Sequence, residues 1–437
     1  MQSPRRDKLI SLEEAQALVL QAAAPLDSEV VSLKDADGRV LAEEIRASHD
    51  EPALPQAAMD GYAVRSADVN SASPERGILL SVVGEVSAGQ EGRLEVKQGE
   101  AVRVMTGASL PAGADAVTPQ EMTETVDRGI RVTNPVTAGD YLIPVGTEFH
   151  RNQHLLCSGT VLRTGGLTML AALGCSRVNV RRQPTVAVLA TGSELVELGE
   201  RLRPGQVFAS NLHTVAHLVN RCGGKVASRD IAGDNFNILT RTIQRGTKAD
   251  VVVTTGGTGK GRKDRVFAAV TELGGRLLFR GVAMTPGKQT LFAKLGDTLF
   301  FGLPGRPPAT YVAFEQLVRP ALLRMLGVSQ VCLPEMTATL SRPIRRKGKL
   351  PSFVFCRLIF GPDGLRAEPL RSETTGMLTE MLAANGLLKT PPRQEWLDIG
   401  ERVKVQLLDM GLQGLSYFGE PHRPLRQYSG FRNSKEK

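Results

Sequence analysis

The sequence predicts a multidomain α/β plus β protein, built around a doubly wound α/β domain. Three observations predict it. Between Arg181 and Leu326, apolar strand-like runs alternate with helix patterns. From Glu51 to Tyr141, short alternating apolar runs are separated by Gly and Pro, which reads as a β-rich module. Finally, 437 residues exceed what one core ordinarily organises, and a prior of roughly 150 residues per domain gives about three domains.

The elements follow in order. Ser11-Leu12-Glu13-Glu14 has the form of a capping box, and Leu12, Ala15, Leu18 and Val19 keep helical period behind it. Asp35 to Gly38 breaks the pattern, and Arg39 to Ile45 resumes it. After the β-rich module, Thr164 to Leu173 is helical again, so the module is inserted into a split helical and extended scaffold. Thr185 to Ala190, Val226 to Ile231 and Val251 to Thr255 are strand runs. Asn211 to Cys222, Asn237 to Gln244 and Arg265 to Leu273 are the intervening helices, two of them stopped by Gly-Gly pairs. A strand from Thr298 to Phe301 precedes a last helix, Thr310 to Leu326. Such alternation implies a parallel sheet with helices on both faces and a ligand site beyond the carboxyl ends of the strands. After Ser329, short strands with Gly and Pro turns form a separate β domain. The predicted division is 1–50 with 142–180 for the scaffold, 51–141 for the insert, 181–328 for the doubly wound domain, 329–415 for the last β domain and 416–437 for a basic tail.

Composition narrows the function. The net charge is +9, which favours anionic ligands. Aromatics make up 5%, too few for a base-stacking platform, and no nucleic-acid motif is present. No apolar run is long enough for a membrane span or a signal-peptide core, so no membrane partner is expected. The five cysteines are dispersed without a Cys-x-x-Cys pair, which argues against a zinc site and fits a reducing cytoplasm. His213 with His217, and His150 with His154, have the spacing of a helical zinc pair. Neither has the accompanying Glu, so zinc is not expected.

Chemistry concentrates at the strand ends. Thr254-Thr255-Gly256-Gly257-Thr258-Gly259-Lys260-Gly261 follows a buried strand and precedes a helix, where glycines let backbone N–H groups approach a phosphate. Lys260 is followed by Gly261 rather than Ser or Thr, so this is not a Walker loop. Asp264 opens the next helix. Phe301-Gly302-Leu303-Pro304-Gly305-Arg306-Pro307-Pro308 is a rigid loop with one cation, and Pro286-Gly287-Lys288 adds another. Glu194 follows a strand in Thr191-Gly192-Ser193-Glu194. In the insert, Ala58-Met59-Asp60-Gly61-Tyr62-Ala63 and Met105-Thr106-Gly107-Ala108 are polar loops.

In this order and spacing, these motifs resemble the molybdopterin molybdenumtransferase family, the MoeA and gephyrin E-domain proteins, from about Ser11 to Leu408. The resemblance implies a MogA-like doubly wound domain, a split scaffold, an inserted β module and a C-terminal β-barrel. It implies a homodimer whose site lies between one subunit's doubly wound domain and the partner's inserted module. The implied reaction inserts molybdate into adenylylated molybdopterin and releases AMP, with Mg2+. Asp60, Thr106, Glu194 and Asp264 are the implied catalytic residues, and Glu194, Asp234 and Asp264 the implied metal ligands. Gly256, Gly257, Thr258, Lys260, Lys288, Pro304, Arg306, Pro307 and Asp234 would bind the substrate. Implied protein partners are a MogA-like adenylyltransferase and molybdoenzymes.

The chain departs from the family pattern at several loops. The arginine run is absent from Ile143 to Glu148, Thr285 stands for a lysine, Gln289 for a proline and Arg306 for an asparagine. Lys260, Arg262, Lys263 and Arg306 are expected to restore positive charge from new directions. Two other readings stand beside transfer: a molybdopterin adenylyltransferase-like enzyme, favoured by the Gly-Gly-Thr-Gly loop, and a non-catalytic pterin-nucleotide carrier, favoured by the missing arginines.

Overall fold

The computed structural model describes residues 9–89, 94–258, 265–345, 348–370 and 377–408. Lys260, Arg262, Lys263, Asp264 and the basic tail lie outside the described residues. The chain folds as two compact units, 43–177 and 1–42 with 178–437.

Unit 43–177 is organised by a sheet of six strands: β1 (Gly61–Val64), β2 (Ile78–Val86), β3 (Glu100–Val104), β4 (Ala116–Pro119), β5 (Thr123–Val126) and β6 (Gly129–Val132). Their order is β4-β1-β3-β2-β6-β5. Successive residues point to opposite faces, and each face carries an apolar cluster. Val64, Ala101 and Ile130 enter one apolar cluster, while Ala63, Val102 and Val104 enter the other.

The second unit begins with α1 (Leu12–Ala22), capped by Ser11, whose hydroxyl accepts from the Glu14 N–H at 3.0 Å. Leu12, Ala15 and Val19 are buried on one face, as the helical period requires. Its sheet has the order β8-β7-β9-β12-β11-β10, with β7 (Thr185–Thr191), β8 (Lys225–Ala232), β9 (Val251–Thr255), β10 (Arg276–Arg280), β11 (Leu291–Leu295) and β12 (Thr298–Leu303). β8, β7, β9 and β12 are parallel. Along β7, Val186, Val188 and Ala190 face one cluster and Ala187 and Leu189 the other. The first cluster holds α1 and α2 (Ser210–Arg221). The second holds α3 (Phe236–Gly246) and α4 (Arg265–Glu272).

The structure differs from the sequence reading at three places. The sheet is mixed, because β11 runs antiparallel to β12 across the two-residue turn Gly296-Asp297, and β10 runs antiparallel to β11. A turn of two residues reverses the chain and permits no parallel crossover. Arg39 to Ile45 forms no helix; Leu41 instead bridges to Val180 and the Ala42 N–H donates to Asn179. The last helix is not continuous but runs through α5 (Pro307–Ala313), a π-helical turn at Phe314–Val318 and α6 (Arg319–Met325). Pro320 has no N–H to donate to Gln316, four residues before it. The wider turn absorbs that loss, and the Gln316 carbonyl accepts from Gln16 Nε2 of α1 at 3.0 Å.

The C-terminal domain is a closed barrel of β13 (Glu335–Leu340), β14 (Ser352–Gly361), β15 (Gly364–Pro369), β16 (Gly386–Thr390) and β17 (Arg402–Leu407), in the order β13-β15-β14-β16-β17. Val354, Cys356, Leu388 and Val405 fill it. The alternate residues Phe353, Phe355 and Leu387 join the core of the doubly wound domain, so barrel and sheet share one apolar seam. Burial raises the thiol of Cys356, and it pushes that of Cys222 up to about 12, which leaves both protonated and unreactive near neutral pH.

Candidate functional site

The carboxyl ends of the parallel strands β7, β8, β9 and β12 carry the expected polar loops in one unit. Each end is drawn inward by backbone bonds. The Gly192 N–H donates to Ala232 O at 3.1 Å, and the Gly256 N–H to Leu303 O at 3.0 Å. Thr191 Oγ1 donates to Thr255 O at 3.2 Å. Gly256 and Gly257 have φ of +87° and +65°, a region that side chains with a Cβ rarely occupy. A Cβ on Gly256 would lie 2.5 Å from Thr191 O, and one on Gly305 would lie 3.4 Å from Gly256 Cα. Three loops are thus stacked at backbone distance, with the Gly256 N–H taken by Leu303 O and Gly257 exposed beside it.

Around this turn the structure brings several expected residues together. Thr258 is buried, and its hydroxyl faces Leu303 O at 3.4 Å. Thr258 and Lys288 line one cavity of about 140 Å3, together with Arg280 and Gln289. The Lys288 loop is anchored on the barrel, where Thr285 N–H donates to Pro351 O at 2.9 Å and Phe353 N–H to Thr285 O at 2.8 Å. Pro304 is buried, while Arg306 and Lys288 are exposed and make no ion pair among the described residues. Pro307 starts α5.

Glu194 and Asp234 are exposed on the loops after β7 and β8. Ser193 Oγ donates to Asp234 Oδ2 at 3.0 Å, and Arg265 Nη1 lies 3.9 Å from Asp234 Oδ1. The Glu194 carboxylate folds back over Gly192. Among the described residues, no three His, Cys, Asp or Glu side chains gather as a ready metal cluster. The third expected ligand, Asp264, and the expected substrate contact Lys260 lie outside the described residues, as do Arg262 and Lys263.

Asp60 and Thr106 meet in the other unit. Thr106 donates both its N–H and its hydroxyl to Asp60 Oδ1, each at 2.8 Å. The backbone N–H, and then the hydroxyl, hold the Asp60 carboxyl below its ordinary value, with a smaller contribution from Arg103. Asp60 is therefore a committed carboxylate near neutral pH.

Three contributors were not singled out from the sequence. Thr191 walls the glycine turn. Thr310 donates to Pro304 O at 2.6 Å. Asn211, at the start of α2, donates to Gly305 O at 2.7 Å. A hydroxyl ending an apolar strand was the available signal for Thr191; Thr310 lies within α5, the Asn211 contact spans 94 positions, and nothing local announces either.

Known proteins resemble this chain along most of its length. Residues 10–174 match the MoeA N-terminal region (domain I and II), residues 187–324 the probable molybdopterin binding domain, and residues 337–408 the MoeA C-terminal region (domain IV). A molybdopterin molybdenumtransferase from Nostoc sp. is 32% identical over 395 residues, covering 89% of this chain and 90% of the relative. Another from Bacillus subtilis is 31% identical over 412 residues, covering 91% and 94%. Two solved structures of the molybdopterin biosynthesis MoeA protein from Pyrococcus horikoshii are 33% and 31% identical, with TM-scores of 0.81 and 0.79; each covers 92% of this chain, and 99% and 100% of the respective structure. The chain belongs to the molybdopterin molybdenumtransferase (MoeA) family.

Proposed function

We propose that this chain inserts molybdate into adenylylated molybdopterin and releases AMP. The observation that carries the reading is the Gly256-Gly257 turn, packed between Thr191 and Gly305 with Gly257 exposed and two exposed cations, Lys288 and Arg306, in the loops of the same domain. A pyrophosphate wants backbone N–H donors and cations, and this strand-end site supplies both.

In this reading Gly256, Gly257 and Thr258 shape the phosphate pocket, Lys288 and Arg306 balance the phosphate charge, and Pro304 and Pro307 keep that loop rigid. Asp60, held ionised by Thr106, accepts hydrogen bonds or a cation and is unsuited to donating a proton. Glu194 and Asp234 are hard oxygen donors of the kind Mg2+ takes, with Asp264 the expected third. The bound ion would neutralise phosphate charge as the AMP bond is hydrolysed. The protein acts as a cytoplasmic homodimer, divided into the scaffold, insert, doubly wound and barrel domains expected above. Its reaction depends on a preceding adenylylating enzyme and on molybdoenzymes that receive the product.

Purified protein is to be incubated with adenylylated molybdopterin, molybdate and Mg2+, following AMP and cofactor formation together. Both should appear, and both should be lost in Asp60→Ala and Glu194→Ala. Pterin nucleotide bound but unreacted would replace transfer by a carrier role. Pyrophosphate released from ATP and molybdopterin would replace it by adenylylation, the reading that the Gly-Gly-Thr-Gly loop favours.

A further inference from the structure

We propose that Asn211 is a positioning residue that sets the Pro304–Pro307 loop, and with it Arg306, against the Gly256-Gly257 turn. The inference deepens the functional reading above and rests on it.

All four successive carbonyls of this loop are held, and Thr310 holds two of them. Leu303 O accepts from the Gly256 N–H at 3.0 Å, and Pro304 O from the Thr310 hydroxyl at 2.6 Å. Arg306 O accepts from the N–H groups of Ala309 and Thr310, both at 2.9 Å. Those bonds come from the adjoining turn and from α5 itself. Gly305 O instead accepts from Asn211 Nδ2 at 2.7 Å, a side chain 94 positions away. Its peptide leads directly into Arg306.

The other end of the Asn211 amide supports a dedicated role. Asn211 is 9% exposed, and its Oδ1 is buried with no hydrogen-bond partner among the described residues. A buried acceptor left unsatisfied disfavours asparagine against an apolar side chain of similar shape. Leu212, Val215 and Val219 already supply the buried face of α2, so an apolar residue would suit the helix at 211. What an apolar residue lacks is the donor that reaches Gly305.

The same helix start is tied to the carboxylate loop. The strand Val207–Phe208, just before α2, pairs in parallel with Leu195–Val196, and the Val207 N–H donates to Glu194 O at 2.9 Å. Asn211 therefore links the loop bearing Glu194 to the loop bearing Arg306. Gly305 is itself exposed, so water replaces the lost donor and the fold survives its removal. What is lost is the fixed course of the backbone that carries Arg306.

The test uses the full chain with Asn211→Leu and Asn211→Ala, each alone and combined with Arg306→Ala. Adenylylated molybdopterin is titrated into each, and amide hydrogen exchange of residues 303–311 is followed without ligand. Expected are unchanged unfolding midpoints, faster exchange over 303–311, and pterin-nucleotide affinity about tenfold weaker for the single Asn211 variants, the scale of one ordering hydrogen bond. In the Arg306→Ala background, the Asn211 effect should shrink to twofold or less. Wild-type affinity, unchanged exchange, or effects that multiply independently would each overturn the proposal. Failure of the wild-type chain to bind the pterin nucleotide would overturn the functional reading instead, and the exchange comparison would still decide whether Asn211 holds the loop.

Discussion

Replacing Gly256 by alanine separates two costs that the structure assigns to this turn. The first is conformational. At φ +87° an alanine sits in the left-handed region, which costs about 1–2 kcal/mol. The second is steric, because the new Cβ would stand 2.5 Å from Thr191 O, a backbone atom held within β7. Relief requires the turn to retreat and to weaken the Gly256 N–H bond to Leu303 O, at about 1 kcal/mol more. Together these give about 2–3 kcal/mol. Gly274 provides the control: its φ is +74°, but a Cβ there meets nothing within 4 Å, so alanine incurs the conformational cost alone. Urea unfolding followed by circular dichroism should place Gly256→Ala at least about 1 kcal/mol below Gly274→Ala. Titration with adenylylated molybdopterin should show weak binding only for Gly256→Ala. Equal stability and equal affinity in the two variants would refute the claim that backbone-to-backbone packing shapes this site.

Asp250 gives a pH signature. Burial, the largest influence, pushes its carboxyl up, but bonds from Arg182 Nη1 and Nη2 and from the N–H and hydroxyl of Thr185 outweigh it and hold it at about 2. The unfolded value is about 3.9, so this stabilisation is fully present above pH 4 and disappears as pH falls towards 2. With the side chain 20% exposed and partly screened, Asp250→Asn should lose about 1–2 kcal/mol at pH 7 and little at pH 2, measured by urea unfolding. A loss independent of pH would sink this assignment. Thr106→Val removes the lesser of the two Thr106 bonds to Asp60, so the Asp60 carboxyl should rise yet stay below its ordinary value in a carbon-13 titration; no movement would mean that the hydroxyl is not a donor. Glu315 is wholly buried between Arg221 and Arg319, so Glu315→Gln should cost about 3 kcal/mol by leaving two half-sheltered guanidinium groups without their counter-charge. A change below about 1 kcal/mol at pH 7 would show that the pair is dispensable.

How much of the fold the sequence disclosed depended on the range of the interactions involved. The Ser11 cap, the heptad-like burial of α1 and the strands β7, β8 and β9 are local matters of period and capping. Gly223 stops α2 with φ +79°, as the Gly-Gly pair suggested. Two failures differ in kind. The antiparallel β11 had a local signal, the two-residue turn Gly296-Asp297 that folds it against β12, whereas the last helix answers to a distant partner. Pro320 alone signals a broken helix, but the form of the break depends on Gln16, 300 positions away, which takes the carbonyl that the proline releases.

The candidate site obeys the same rule. Glycines, carboxylates and threonines at strand ends were legible because a parallel sheet sends its ligand there whatever the ligand is. Bulk charge says little, since the +9 excess favours an anion without saying where it binds; only the motif loops pointed to Lys288 and Arg306. In the fold the basic residues sort by partner. Arg182 grips Asp250, while Arg221 and Arg319 flank Glu315. Lys288 and Arg306 have no such carboxylate among the described residues and stand on the loops that border Gly256 and Thr258. A cation committed to a carboxylate contributes little to an incoming phosphate, because its field is already balanced. The useful charge is the unpaired part held at the strand ends. Its direction is set by neutral contacts such as Asn211 to Gly305, and no charge count or motif records those.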